Sequence, residues 1–433
     1  MLRRSLPILL IISGISLAWA ATARPRSFAL QAKSAVALPA TVVTAESGSL
    51  QKSGQHLTVS FAQNVRLTSA EQRSTLLCQN MVAEGTQQAP NSIKASGGVK
   101  FSMYVQRVEQ GQTVEYRIDV NAQSATSVKE NNGQVIHLKG GASVPRPRLT
   151  IVPLSTGHQK QAILIADAID YYADVANADP KTVTQTATFV KAIGDAVFTS
   201  VTEAPAQGKA GASSRSAMYK LMGSAPLISG VFERNTETKD EFSQAFRFER
   251  GTAGVGARPH LEKSDVDPAS PEVTKMDADF IICFPNAMQK DSTPDSSNAA
   301  PALVMRATGN VKVAATTTKQ TTTVATTAKS PSARPAFGGV SSLPMHQSWL
   351  GEADKMEYWL ERATAPADLK KFNHVVRMGY QHTLLPHVTM KDRDTGRVVT
   401  DLTGETLFMN LDTGEWGLLS NDQPTATGQG GHA

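Results

Sequence analysis

Thr403-Gly-Glu-Thr-Leu-Phe-Met-Asn-Leu-Asp-Thr-Gly-Glu415 is the stretch that decides the fold class of this chain. Leu407, Met409 and Leu411 alternate with Thr406, Phe408 and Asn410, so an extended backbone sends the two sets to opposite faces. Asp412-Thr413-Gly414 then supplies turn residues, and the whole reads as a half-buried antiparallel strand ending in a tight turn. The same period recurs upstream. Val114, Tyr116, Ile118 and Val120 share one face, with Glu115, Arg117 and Asp119 on the other. Val99, Phe101 and Met103 alternate with Lys100 and Ser102. Runs of period two outnumber helix-like ones, and the chain is expected to be all-β.

Two short phrases recur and alternate like rungs. The first, a Gly or Asn followed within a few residues by Val, stands at Asn64-Val65, Gly98-Val99, Gly141 to Val144, Gly194 to Val197 and Gly309 to Val311. The second pairs a small residue with an apolar or aromatic one, at Ala122 to Ala125, Ile165 to Tyr171, Ser216 to Tyr219, Met276 to Phe280 and Ala353 to Tyr358. Uneven spacing marks a divergent array with insertions in its turns. Short strands of this kind hide one face only against a neighbouring layer, so rungs must stack before a core exists.

The 433 residues suggest more than one unit. Boundaries are expected near 40–150, 151–318 and 338–420, with Val144-Pro145-Arg146-Pro147-Arg148 interrupting pairing at the first junction. Residues 319–337 read as a linker, because a Thr-, Ala- and Ser-rich segment lacks the apolar side chains to fold alone. Residues 286–301 read as a loop and 421–433 as a disordered tail. Two stretches admit short helices. Ile165, Ile169 and Tyr172 fall at helical spacing within Ala162 to Ala178, and Met356 to Lys371 has a helix-forming composition.

Arg3 and Arg4 precede an apolar run from Leu6 to Leu17, and Ala18-Trp19-Ala20 fits a signal-peptidase site, so residues 1–20 read as an export signal. Cleavage after Ala20 comes first and after Ala23 second; an uncleaved anchor is the alternative. An exported, periplasmic protein follows. The balance of 43 Lys and Arg against 38 Asp and Glu permits an anionic partner without requiring one. No run of cations interleaved with aromatics speaks for nucleic acid.

Cys78 and Cys283 are the only cysteines. An oxidising compartment allows them to pair as a disulfide, and their apolar surroundings equally suit two buried small hydrophobes. There is no G-x-S-x-G phrase, and thiols in apolar runs resist ionisation, so hydrolytic chemistry is not expected. His374, His382 and His387, with Asp392 and Asp394 nearby, are spaced unlike a standard ligand set on one strand. Asp277 and Asp279, two apart, are expected to project together into solvent. No catalytic residue, metal or cofactor is assigned.

Ala353-Asp-Lys-Met-Glu-Tyr358 and Thr403 to Glu415 resemble the OstA-like family, the periplasmic lipopolysaccharide-transport A and C proteins and the N-terminal part of their outer-membrane partner. The resemblance implies an elongated, stacked antiparallel β-jellyroll whose lateral groove receives acyl chains, and it favours a strand over a helix at Ala166 to Tyr171. It implies a non-catalytic carrier that binds lipopolysaccharide or a similar anionic lipid and moves it to the outer membrane. The expected lining is Val99, Phe101, Met103, Val114, Tyr116, Ile118, Val311, Val313, Met356, Tyr358, Leu407, Met409 and Leu411, with Lys100, Arg117, Lys312 or Arg377 at the rim. Thirteen Met side chains suit variable apolar guests. Unpaired strand ends favour edge pairing with other OstA-like components, or head-to-tail self-association. These inward faces exist equally in a packed sandwich, so an exported structural or adhesive β-protein is the competing expectation.

Overall fold

A computed structural model describes residues 26–30, 41–69, 73–86, 90–109, 112–130, 133–154, 159–172, 175, 185–203, 218–234, 242–250, 257–265, 273–284, 302–319, 345–362, 372–410, 415–420 and 423–429. Twenty-five strands among them form one antiparallel sheet, and Val175 alone of the described residues has helical backbone. The expected export signal and the linker core lie outside the described residues, as do Leu411 and its turn.

The chain climbs in rungs, and each rung bends at its middle. Some rungs are one long strand: β4 (His56–Ser69), β5 (Ser74–Thr86), β6 (Pro90–Glu109), β7 (Gln112–Glu130), β12 (Ala187–Glu203), β13 (Met218–Arg234), β18 (Ala302–Lys319) and β19 (Met345–Arg362). Others are split in two at the bend: β2 (Thr41–Ala45) with β3 (Ser47–Ser53), β8 (Gly133–Lys139) with β9 (Arg148–Pro153), and β10 (Gln159–Ile165) with β11 (Ala168–Tyr172). Further along come β14 (Phe242–Glu249) with β15 (His260–Asp265), β16 (Val273–Asp277) with β17 (Phe280–Cys283), β20 (Phe372–Gly379) with β21 (His387–Asp392), and β22 (Val398–Thr403) with β23 (Thr406–Asn410). β1 (Arg26–Leu30) pairs with β2, and β24 (Glu415–Ser420) with β25 (Gln423–Gln429) lies at the other end.

Pairing across the split rungs shows two half-sheets. On one side β7 pairs β9, β9 pairs β10 and β10 pairs β12; on the other β7 pairs β8, β8 pairs β11 and β11 pairs β12. The same order returns from β13 through β14 to β18, and from β19 through β20 to β23. Apolar faces of the two half-sheets meet inside, and one core cluster runs from Met103 to Met409. A second cluster, Val43 to Val99, fills the first rungs.

The recurring phrases mark the bend, except Ser216 to Tyr219, which falls at the start of β13 while that rung bends at Ala225. Ala45, Ala122, Ala166, Ala225, Ala278 and Ala353 are all buried along the seam, where the half-sheets converge and a larger side chain has no room. Facing them, Gln63-Asn64, Gly194-Asp195 and Gly309-Asn310 carry positive φ and interrupt the register of β4, β12 and β18. The left-handed conformation favours Gly, and a Cβ on Gly194 or Gly309 would also strike Asp167 or Asp279 within 3 Å.

An arginine latches this bend twice in the same way. The Ala166 N–H donates to the Pro147 carbonyl at 3.3 Å, and Ala278 to Pro259 at 3.2 Å. The Asp167 N–H reaches Ile193 and Gly194, as Asp279 reaches Thr308 and Gly309. Arg146 donates to the carbonyls of Gly194 and Asp195 and pairs with Asp167; Arg258 donates to Gly309 and Asn310 and pairs with Asp279. In a third copy the Gly404 N–H donates to Pro386, but Leu385 stands where the arginine would be. Asp279 is therefore a corner residue held by Arg250 and Arg258, past the end of the strand that carries Asp277, and both side chains remain part-exposed.

Three further expectations are corrected. Ala162 to Tyr172 is two strands and not a helix. Ala162, Leu164 and Ala166 face inward, the bend at Asp167 consumes one residue, and Ile169 and Tyr171 face inward after it. Of the three residues at helical spacing only Ile169 is buried; Ile165 and Tyr172 lie on the outer face, so the spacings of four and three mix the two faces of the strands and mark no helical stripe. Met356 to Arg362 belongs to β19, while 363–371 lies outside the described residues. The expected tail contains β25, paired with β24.

Candidate functional site

The two half-sheets enclose an apolar cavity at the first rungs. Leu67, Leu76, Val99, Phe101, Met103, Ile118, Val120 and Leu149 line it from one half-sheet, and Ile93, Ala95, Ala125, Ser127, Ile136, Leu138 and Tyr171 from the other. Its volume is about 90 Å³, and Ser127 supplies the one aliphatic hydroxyl beside the Tyr171 phenol. The geometry follows from the sequence pattern, because residues of one parity on β5, β6 and β7 all turn the same way and their partners across the seam turn to meet them.

Of the expected lining residues, Val99, Phe101, Met103 and Ile118 meet in this cavity. Leu407 and Met409 meet in a second, at the far end of the interior, with Val376, Met378, Val388, Leu402 and Phe408 around about 10 Å³. Tyr116, Val311, Val313, Met356 and Tyr358 are buried in the core between or beside them. Val114 lies on β7, but its side chain is outside the described set, as is Leu411.

What lies between the two cavities had no counterpart among the expected residues. Phe189, Phe198, Phe232, Phe246 and Phe248 pack ring against ring across β12, β13 and β14, with centroids 4.5 Å apart for Phe198 and Phe246 and 6.2 Å for Phe198 and Phe248. Phe248, on one half-sheet, reaches the bare Cα of Gly223 on the other; a Cβ there would lie 2.2 Å from the ring. The alternation Phe242-Ser-Gln-Ala-Phe246-Arg-Phe248 carried the signal for an inward aromatic face.

Cys78 and Cys283 are both free, which corrects the disulfide alternative. Cys78 belongs to the cluster that fills the first rungs and Cys283 to the long one, several rungs away. Burial pushes the Cys78 thiol up to about 11 and Cys283 to about 12.

Polar candidates are spoken for by local structure. The His387 ring lies 2.6 Å from Asp401, and Asp392 accepts the N–H groups of Asp394 and Thr395 to close a turn. His382 stands at positive φ beside Tyr380, and the His374 side chain lies outside the described set. Among the described residues no three His, Cys, Asp or Glu side chains gather as metal ligands would. Of the four expected rim cations, Arg117 pairs with Asp119, Lys312 with Glu352, and Arg377 lies over the Trp359 ring. Lys100 has no ion pair among the described residues.

Set against family models, curated proteins and solved structures, the chain matches none.

Proposed function

We propose that this chain is an exported, non-catalytic carrier of an acylated anionic amphiphile of the lipopolysaccharide kind, as the OstA-like resemblance of Ala353–Tyr358 and Thr403–Glu415 suggests. The observation that carries the reading is the apolar cavity between the half-sheets at Phe101, Met103, Ile118 and Leu138. Burying an acyl chain returns about 0.8 kcal/mol per CH₂, so six methylenes supply roughly 5 kcal/mol without any catalytic group. At about 90 Å³ the cavity is smaller than the roughly 150 Å³ space that admits benzene in a dry protein core, so loading requires the half-sheets to part. Their seam is the natural hinge, since the first rungs bend at Gln63-Asn64 and Gly97-Gly98 and, among the described residues, no arginine latches those bends as Arg146 and Arg258 latch later ones.

A photo-crosslinking residue at Phe101 is expected to capture an acylated molecule in the cell, and one at Lys100, on the opposite face of β6, is not. Organic extraction of the purified protein followed by mass spectrometry should release the same lipid.

The packed phenylalanines favour a second reading, a rigid exported spacer with a filled interior. Extracts without lipid and crosslinks only to protein would select it.

A further inference from the structure

The outer face of the same first rungs carries a second, open hollow, bordered by polar residues whose surface within it is mostly carbon. Across β5, β6, β7 and β9 the register aligns Thr75, Ser102, Asp119 and Thr150 in one outward row and Leu77, Lys100, Asn121 and Arg148 in the next. These side chains border an open trough of about 390 Å³, with the inward-facing residues Phe101 and Val120 beneath it, within the size range of small-ligand sites. Its charge is unbalanced. Asp119 accepts from Ser102 at 2.7 Å and from Arg117 at 2.9 Å, which matches its carboxylate. Arg148 is held only by the Thr150 hydroxyl, at 3.3 Å, and neither it nor Lys100 has a carboxylate partner among the described residues.

The geometry points to this trough as a binding site for a hydroxylated phosphate ester, about the size of a hexose phosphate. Lys100 and Arg148 flank Asn121 on adjacent strands, about 10 Å apart at Cα, so two long cationic side chains can close on one oxyanion from opposite sides. Thr75, Ser102, Asn121 and Thr150 offer hydroxyl and amide groups to a polyol, and Leu77, 40 % exposed, supplies an apolar wall. Bare phosphate would leave most of that volume and those polar groups unused. The site lies on the other side of the sheet from the acyl cavity and stands or falls independently of lipid carriage.

The same chemistry can arrive free or as a headgroup at a membrane surface, and calorimetry on the full chain separates the two. Glucose 1-phosphate tests the free ester, and vesicles of phosphatidylglycerol against phosphatidylcholine test the headgroup. Binding of either should weaken roughly tenfold or more in Lys100→Ala and in Arg148→Ala. Asn121→Asp, which keeps the shape but places a carboxylate between the cations, should abolish it. Lys312→Ala, whose ammonium is already paired with Glu352, should leave it unchanged. Binding to glucose 1-phosphate alone assigns the free ester, and binding to phosphatidylglycerol vesicles alone assigns the membrane source. Binding to neither, binding that survives Asn121→Asp, or equal affinity for inorganic phosphate or plain glucose would overturn the assignment.

Discussion

Asp354 is buried at the seam and accepts three backbone hydrogen bonds, from Gln381 and Thr383 at 2.8 Å and Leu384 at 2.9 Å. Burial pushes its carboxyl up, but the three donors outweigh that and hold it below the ordinary carboxylate range. Glu357 repeats the balance: burial raises it, and Lys355, Arg306 and the Trp359 indole bring it lower. A folded pKa below the unfolded one means that the stabilisation is complete above the unfolded value, near pH 4, and is lost as pH falls through the folded value. Denaturant titrations at pH 7 and pH 3 should therefore show Asp354→Asn losing roughly 1.5–3 kcal/mol at neutral pH while depending less on acid than the parent. The two thiols make a separate case. With both raised by burial, neither should react with an alkylating reagent at pH 8 until denaturant is added, and rapid labelling of the native chain would contradict their packing. That both were buried was legible from Leu76-Leu77-Cys78 and Ile281-Ile282-Cys283. The role of Asp354 was not, because its donors lie more than two dozen residues away.

At the scale of the rung, the arginine latch and the phenylalanine layer do different work. Gly309→Val forces a branched side chain into positive φ and against the Asp279 carboxylate, and a loss of about 1–3 kcal/mol or more is expected in equilibrium unfolding. Arg258→Ala leaves the Gly309 and Asn310 carbonyls without that donor and should cost less, since the backbone bonds of the bend remain. Phe248→Ala is the sharper probe. Removing a fully buried ring should cost about 3–5 kcal/mol and join space on either side of Gly223. If the interior carries acyl chains, lipid recovered per mole of that variant should rise, whereas a filled spacer only loses stability. The bends were written into the chain as small residues and glycines, since a seam and a positive φ are local demands. The latch was not, because Arg258 and Gly309 meet only once their strands pair.

At the scale of the whole molecule, the described part of the sheet ends openly at both extremes. Among the described residues β3 pairs only with β4, β22 only with β21 and β25 only with β24, so each end presents unpaired backbone groups. Such edges pair with further strands, and head-to-tail association is expected. Sedimentation should show concentration-dependent oligomers that disappear when residues 411–433 are removed; a monomer at high concentration in both forms would sink the idea. The sequence by itself determined the all-β class, the inward parity of β6, β7 and β23, and the positions of the bends. Each of these is a property of neighbours in the chain, read from a period of two or from a residue too small to clash. Only the tertiary structure decided that Phe248 would close on Gly223, that Cys78 and Cys283 would fall in separate clusters, and that Lys100 and Arg148 would flank Asn121. Those contacts depend on register between rungs tens of residues apart, and a change of one residue in any bend exchanges the two faces of a strand.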